Sequence, residues 1–98
     1  MEGFLLEDSE LFIQSVVSGD LTTLRRLIRQ DQMIVNRSIG LGTPLHYGVA
    51  SGQLAVVNEL LQFGAIQATN SYGWTPLMNA AYEGHADIVK VLVDNDKS

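Results

Sequence analysis

One stretch of thirteen residues constrains this chain more than any other: Gly73-Trp74-Thr75-Pro76-Leu77-Met78-Asn79-Ala80-Ala81-Tyr82-Glu83-Gly84-His85. It spells a turn, a capped short helix and a glycine stop. The Thr75 hydroxyl is suited to cap a helix by accepting a free backbone N–H of the first turn. Pro76 follows at the first helical position, where its missing N–H costs nothing. Leu77, Ala80 and Ala81 come at helical spacing, with two small residues that allow close helix contact. Gly84 suits a left-handed cap. A second helix opens at once, with Ile88, Val89, Val91, Leu92 and Val93 on its apolar face.

The pattern occurs earlier too. Thr43-Pro44-Leu45-His46 leads to Gly52, then to Leu54, Val56, Val57, Leu60 and Leu61. A third, weaker form runs from Leu11, Phe12, Ile13, Val16 and Val17 through Gly19 to Leu21, Leu24, Leu27 and Ile28. Gly19 and Gly52 are 33 residues apart, Gly52 and Gly84 are 32. Repetition at about this period marks a solenoid of stacked helix-turn-helix units. The repeats are placed at about 9–41, 42–73 and 74–98, in one domain covering 1–98. Glu10 stands where the later repeats have Thr43 and Thr75, so repeat 1 lacks the Thr-Pro cap. An atypical first repeat is common in such arrays.

The period, the Thr-Pro-Leu-His at 43–46, Gly64-Ala65 and the Gly-His at 84–85 together resemble the ankyrin-repeat family over nearly the whole chain. The resemblance implies an all-α solenoid of helix-turn-helix units joined by hairpin-like links. Val35-Asn36 fits the family's Val-Asn pair in the first link, while Arg37 to Gly42 departs from the pattern, one residue short and glycine-rich. In the second link Asn70 takes the place of an Asp, and either side chain can close a turn. The resemblance gives His46 a structural place within reach of the Thr43 hydroxyl. Met78 replaces that histidine in repeat 3, so the Thr75 cap is expected to be weaker. Asn36 occupies the position that hydroxylases modify in some family members.

Composition bounds what remains. The 98 residues are 46% apolar, enough for one small core, and contain no cysteine, hence no disulfide and no thiolate chemistry. Met1 to Asp8 has neither the basic start nor the apolar run of a signal peptide, and is read as a lead-in whose Phe4, Leu5 and Leu6 fold back on repeat 1. Asp8 or Ser9 is expected to cap the first helix. No run of apolar residues is long enough to insert in a membrane. An intracellular site, cytoplasmic or nuclear, is the expectation. The net charge of −5 argues against nucleic acid. Arg25, Arg26, Arg29 and Arg37 form the single basic feature, read as a solvated outer helix face, with docking of an acidic partner as the alternative.

Chemistry is sparse. His46 and His85 both fall at positions the resemblance treats as structural. Gly40-Leu41-Gly42 lacks the Lys-Ser/Thr and the strand of a phosphate loop, no His/Glu spacing suits zinc, and no cofactor is expected. Asn36-Arg37-Ser38 is formally a glycosylation triplet, expected to be inert in an intracellular chain.

A surface remains. In this family partners bind hairpin tips and the concave side. The matching positions are Thr69, Ser71, Tyr72, Trp74, Tyr82 and Glu83 in repeat 3, Ser38, Ile39, Leu41, Ala50 and Ser51 in repeat 2, and Val17 and Ser18 in repeat 1. Aromatic residues are enriched at binding hot spots, which singles out Trp74, Tyr72 and Tyr82. The alternative is that Tyr72 and Trp74 lie flat and stiffen the hairpin. The expected function is a non-catalytic protein-interaction module that binds another protein or peptide. Such a module belongs to a larger adaptor or scaffold, or else is a small self-contained inhibitor of a partner enzyme. The face of residues 88–93 has no successor in the sequence to pack on, so a fragment of a longer protein and weak self-association through the C-terminal repeat are expected.

Overall fold

The computed structural model describes residues 8–95. The lead-in expected to fold back through Phe4, Leu5 and Leu6 lies outside the described residues, as does the polar end at Asp96 and Lys97. Asp8, expected in the lead-in or as a cap, is instead the first residue of helix α1, Asp8–Ser18. It is followed by α2, Leu21–Gln30, then α3, Pro44–Ala50, α4, Leu54–Gln62, α5, Pro76–Glu83, and α6, Ala86–Asn95. The even-numbered partner follows each odd helix after a glycine turn, giving three helical pairs among the described residues. The inner helices pack in series, α1 on α3 and α3 on α5, while each pair closes on itself and α4 meets α6.

Local chemistry accounts for the boundaries. Asp20 caps α2 through its carboxylate, which accepts the Thr23 N–H at 3.2 Å and the Thr23 hydroxyl at 2.7 Å. Those bonds hold the Asp20 carboxyl below its ordinary range. Gly84 ends α5 at φ 79°, in the left-handed region that a side chain would strain. Gly40 is the second place where only glycine fits: its φ is 62°, and a Cβ there would come within 2.7 Å of the Tyr47 hydroxyl.

One core runs through all three pairs. Phe12, Val16, Leu24, Val49, Val56, Val57, Leu60, Ala80 and Leu92 are wholly buried. Gly48 in α3 lets Val16, Val56 and Val57 approach within 3.5–3.7 Å of where its Cβ would stand. Ala80 holds the matching place in α5.

The links are less hairpin-like than expected. The first opens with one turn of 3-10 helix, Gln32–Asn36, because the Asp31 carboxylate accepts the Met33 N–H at 3.1 Å and Arg37 closes on Asp31 at 2.6 Å. That turn sends Ile34 and Val35 into the core. Only the tip pairs, in a single antiparallel bridge between Ile39 and Gly42. The second tip is closed as the sequence predicts. The Asn70 Oδ1 atom accepts the N–H groups of Tyr72 and Trp74 at 2.9 and 3.0 Å.

Bonds between repeats hold the stack in register. Asn36 reaches across to repeat 2, donating to the Gly64 carbonyl at 3.0 Å and accepting the Ile66 N–H at 2.9 Å. Gln53 reaches back to the Val17 carbonyl at 3.0 Å. The Ser71 N–H donates to the Leu41 carbonyl at 2.9 Å. Arg25 pairs with Glu59 on the outer face, where Arg26 and Arg29 stay exposed.

Candidate binding groove

His46 shows how the groove floor is fixed. The Thr43 N–H donates to its Nδ1 at 3.2 Å, and the Thr43 hydroxyl stands 2.8 Å from the same atom. Its Nε2 lies 2.8 Å from the Trp74 carbonyl, which can only accept. The ring is therefore neutral, with its proton on Nε2. Burial lowers its pKa, and the Trp74 carbonyl opposes that shift by favouring the charged ring. The contact with Thr43 is the one the sequence predicts. The contact with Trp74 links residues 28 apart and has no local signal.

Met78 stands in the matching place and is half exposed. The Thr75 hydroxyl still accepts the Met78 N–H at 3.2 Å, and the Thr75 N–H faces the Met78 sulfur at 3.3 Å. The cap keeps its backbone bond, with a soft sulfur in place of an imidazole nitrogen.

Trp74 and Tyr82 meet edge to face, ring centres 5.4 Å apart and planes at 77°. Trp74 is half-buried. Tyr82 is 77% exposed and Tyr72 73% exposed. With Asn70, Asn79 and Glu83 these rings enclose a depression of about 290 Å³. A second depression, of about 210 Å³, adjoins it and shares Asn70, Tyr72 and Asn79. Leu41, Tyr47 and Ala50 extend its wall. The two make one groove along the inner helices and the tips.

The other residues singled out from sequence fall around it. Leu41 is 58% exposed at its edge, whereas Ile39, expected as an exposed tip contact, is half-buried because its backbone pairs with Gly42 and its carbonyl accepts the Tyr47 hydroxyl. Ser71 and Thr69 are exposed on the second link, and Ser51 is exposed at the end of α3. Neither Thr69, Ser71 nor Ser51 lines the two depressions. Asn79 and Tyr47 hold matching places in α5 and α3, and both line the groove. The signal that could have found Asn79 is its alignment with Tyr47, a large residue facing a small one across repeats.

His85 packs its ring 3.4 Å from a Cβ position on Gly52, and its Nε2 is buried without a partner among the described residues. Among the described residues no cluster of three or more His, Cys, Asp or Glu could hold a metal ion, and no helix is long and apolar enough to cross a membrane.

The sequence of the chain is similar to those of several known proteins. The chain is 35% identical over 85 residues to mouse Protein phosphatase 1 regulatory subunit 27, covering 85% of this chain and 55% of that protein. It is 33% identical over 87 residues to the rice Probable E3 ubiquitin-protein ligase XBOS33, covering 86% of this chain and 17% of that protein. It is 46% identical over 56 residues to the Notch-regulated ankyrin repeat-containing protein of Xenopus tropicalis, covering 56% of this chain and 49% of that one. The chain thus spans about half or less of the length of these relatives. A family model described as ankyrin repeats, in 3 copies, matches residues 12–98. A protein-interaction module is what such repeats form, and this chain belongs to the ankyrin-repeat family.

Proposed function

We propose that the chain is a non-catalytic binding module, of one domain with repeats at about 9–41, 42–73 and 74–98, that holds a protein partner along the groove from Leu41 to Glu83. The observation that carries this reading is the pair of adjoining depressions walled by Tyr47, Tyr72, Trp74 and Tyr82. Large aromatic side chains left open to solvent around a concavity are the composition of a binding hot spot. The match to only 17% of a longer relative, named as a probable ligase, favours a place within a larger adaptor. A second reading, a regulator seated on a partner enzyme, is favoured by the likeness to a phosphatase regulatory subunit.

Tyr82→Ala is the cleanest test, because its ring is exposed. Partners are captured from cell extract with wild-type protein, identified by mass spectrometry and titrated by calorimetry. Tyr82→Ala, and more so the pair with Trp74→Ala, should weaken binding by about 2–4 kcal/mol. The urea midpoint of Tyr82→Ala should correspond to a stability change of about 0.5 kcal/mol or less. Unchanged affinity per folded molecule would turn the search to the exposed Arg26 and Arg29 face.

A further inference from the structure

The larger depression lies where repeats 2 and 3 differ at one matching position. In repeat 2 the Tyr47 hydroxyl crosses from α3 to its tip, donating to the Ile39 carbonyl at 2.7 Å and accepting the Leu41 N–H at 3.3 Å. Repeat 3 has Asn79 in that place. Asparagine is too short for the crossing, and its Oδ1 is buried with no donor among the described residues. The space a tyrosine ring would fill is left open between α5 and the second tip. Its volume, about 290 Å³, lies just below the range of about 300–1,000 Å³ for ligand pockets, enough for one long side chain.

Three features of the walls select the occupant. The Trp74 and Tyr82 rings stand nearly perpendicular, so they form a corner with flat aromatic surfaces. Glu83 is at the rim and has no cationic partner among the described residues, and neither Lys nor Arg lines either depression. The chain from 43 to 98 carries five acids against two lysines. Aromatic faces attract a cation, and a carboxylate accepts its N–H groups.

We propose that this depression receives an arginine side chain of the partner protein, its guanidinium against the Trp74–Tyr82 corner and its N–H edge on the Glu83 carboxylate. This deepens the proposed function and rests on the groove being the partner face. A guanidinium stacks on a ring and donates in its own plane to a carboxylate at once, whereas an ammonium acts as a point charge. Its donors outnumber what Glu83 accepts, so one remains for Asn79 if the rim side chains part. A buried acceptor without a donor is costly in the free protein, and a ligand N–H would relieve it.

The sole tryptophan of the chain lies in the site, so its fluorescence reports occupancy. The probes are N-acetyl-arginine amide, the citrulline isostere that has the same shape without charge, and N-acetyl-lysine amide. Arginine should give a saturable change in emission, accompanied by shifts of the Tyr72, Trp74, Asn79, Tyr82 and Glu83 amide resonances. Citrulline should bind about twofold to fivefold more weakly, on the scale of an exposed cation–π contact, lysine should also bind more weakly because its ammonium has no flat face to stack, and added salt should weaken the arginine response. Asn79→Tyr should fill the depression and abolish the response, and Glu83→Gln should reduce it by up to about fivefold while leaving the urea midpoint in place. Equal binding of arginine and citrulline, tighter binding of lysine, or a full response in Glu83→Gln overturns the proposal. If those results come while Tyr82→Ala still loses the captured partner, the groove is the partner face but takes no arginine. If arginine binds as expected and Tyr82→Ala keeps its partner, the pocket stands and the partner face lies elsewhere.

Discussion

Repeats 2 and 3 begin their inner helices with the same Thr-Pro-Leu, yet they use the next two positions in opposite ways. In repeat 2, His46 and Tyr47 both turn to structure. One joins Thr43 to the Trp74 carbonyl, and the other ties α3 to its own tip. In repeat 3, Met78 is half exposed, Asn79 leaves its Oδ1 unpaired, and the rings of Trp74 and Tyr82 gather around the space. The same backbone therefore yields a closed middle repeat and an open third one. Two side chains decide which repeat holds the stack and which offers a surface.

Removing the imidazole should break this contrast most strongly. His46→Ala strands the Thr43 N–H and the Trp74 carbonyl in a site where the ring is 7% exposed. The expected loss is about 2–3 kcal/mol, from two partners left unsatisfied. Urea unfolding measures it, and an unchanged midpoint would mean that the ring holds neither group.

Acid should erode the same contact reversibly. The folded protein lowers the His46 pKa from 6.5, so below about 6.5 the unfolded chain takes up the proton more readily than the folded one. Stability from this site is whole above that pH and is lost as pH falls toward the folded value. The stability difference between wild type and a His46→Gln variant should shrink as pH falls through about 6.5 toward the lowered folded-state value. Asp20, whose carboxyl is held below 3.8, titrates in a lower window and does not confuse the reading. A difference constant with pH would exclude the neutral-ring assignment.

Tyr47→Phe tests the closure of the middle repeat alone. It removes the bonds to the Ile39 carbonyl and the Leu41 N–H and keeps the ring. A loss of about 1 kcal/mol is expected, the ordinary net worth of a protein hydrogen bond. Faster hydrogen exchange at Leu41 would show that the tip has loosened.

Met78→His, which copies repeat 2 into repeat 3, should have the smallest effect. The new ring can take the Thr75 N–H in place of sulfur, but its Nε2 meets no carbonyl from a following tip among the described residues. A gain of about 0.5 kcal/mol or less is expected, as for a change at a half-exposed position. A gain equal to the His46→Ala loss would show that the cap, and not the bond between repeats, gives His46 its worth.

The helices, the Thr43 and Thr75 caps and the closing turn at Asn70 were legible because each is encoded within four residues of itself, whereas the cap expected at Asp8 falls inside α1. Thr75, Pro76 and Gly84 mark one helix on any reading. Three kinds of feature were not. The 3-10 turn at Gln32–Asn36 depends on Asp31 choosing Met33 and Arg37 as partners. The half-burial of Ile39 depends on Tyr47, eight residues away. The bonds of Asn36 and His46 cross 28 to 30 residues, beyond any local pattern. In the groove, the exposed aromatics could be placed from the repeat alone. The depression they enclose could not, because it is the absence of a ring at Asn79.

The polar clasps between repeats also set how the array responds to load. Repeat 1 is fastened to repeat 2 by both bonds of Asn36, by Gln53 on Val17 and by Arg25 on Glu59. Repeat 2 is fastened to repeat 3 by His46 on Trp74 and by Gln67, whose Oε1 accepts the Leu77 N–H. The chain is thus a zipper with unequal teeth. A proton taken up by His46 goes to Nδ1, so acid loosens the Thr43 cap inside repeat 2 and spares the Nε2–H bond to the Trp74 carbonyl across the second seam.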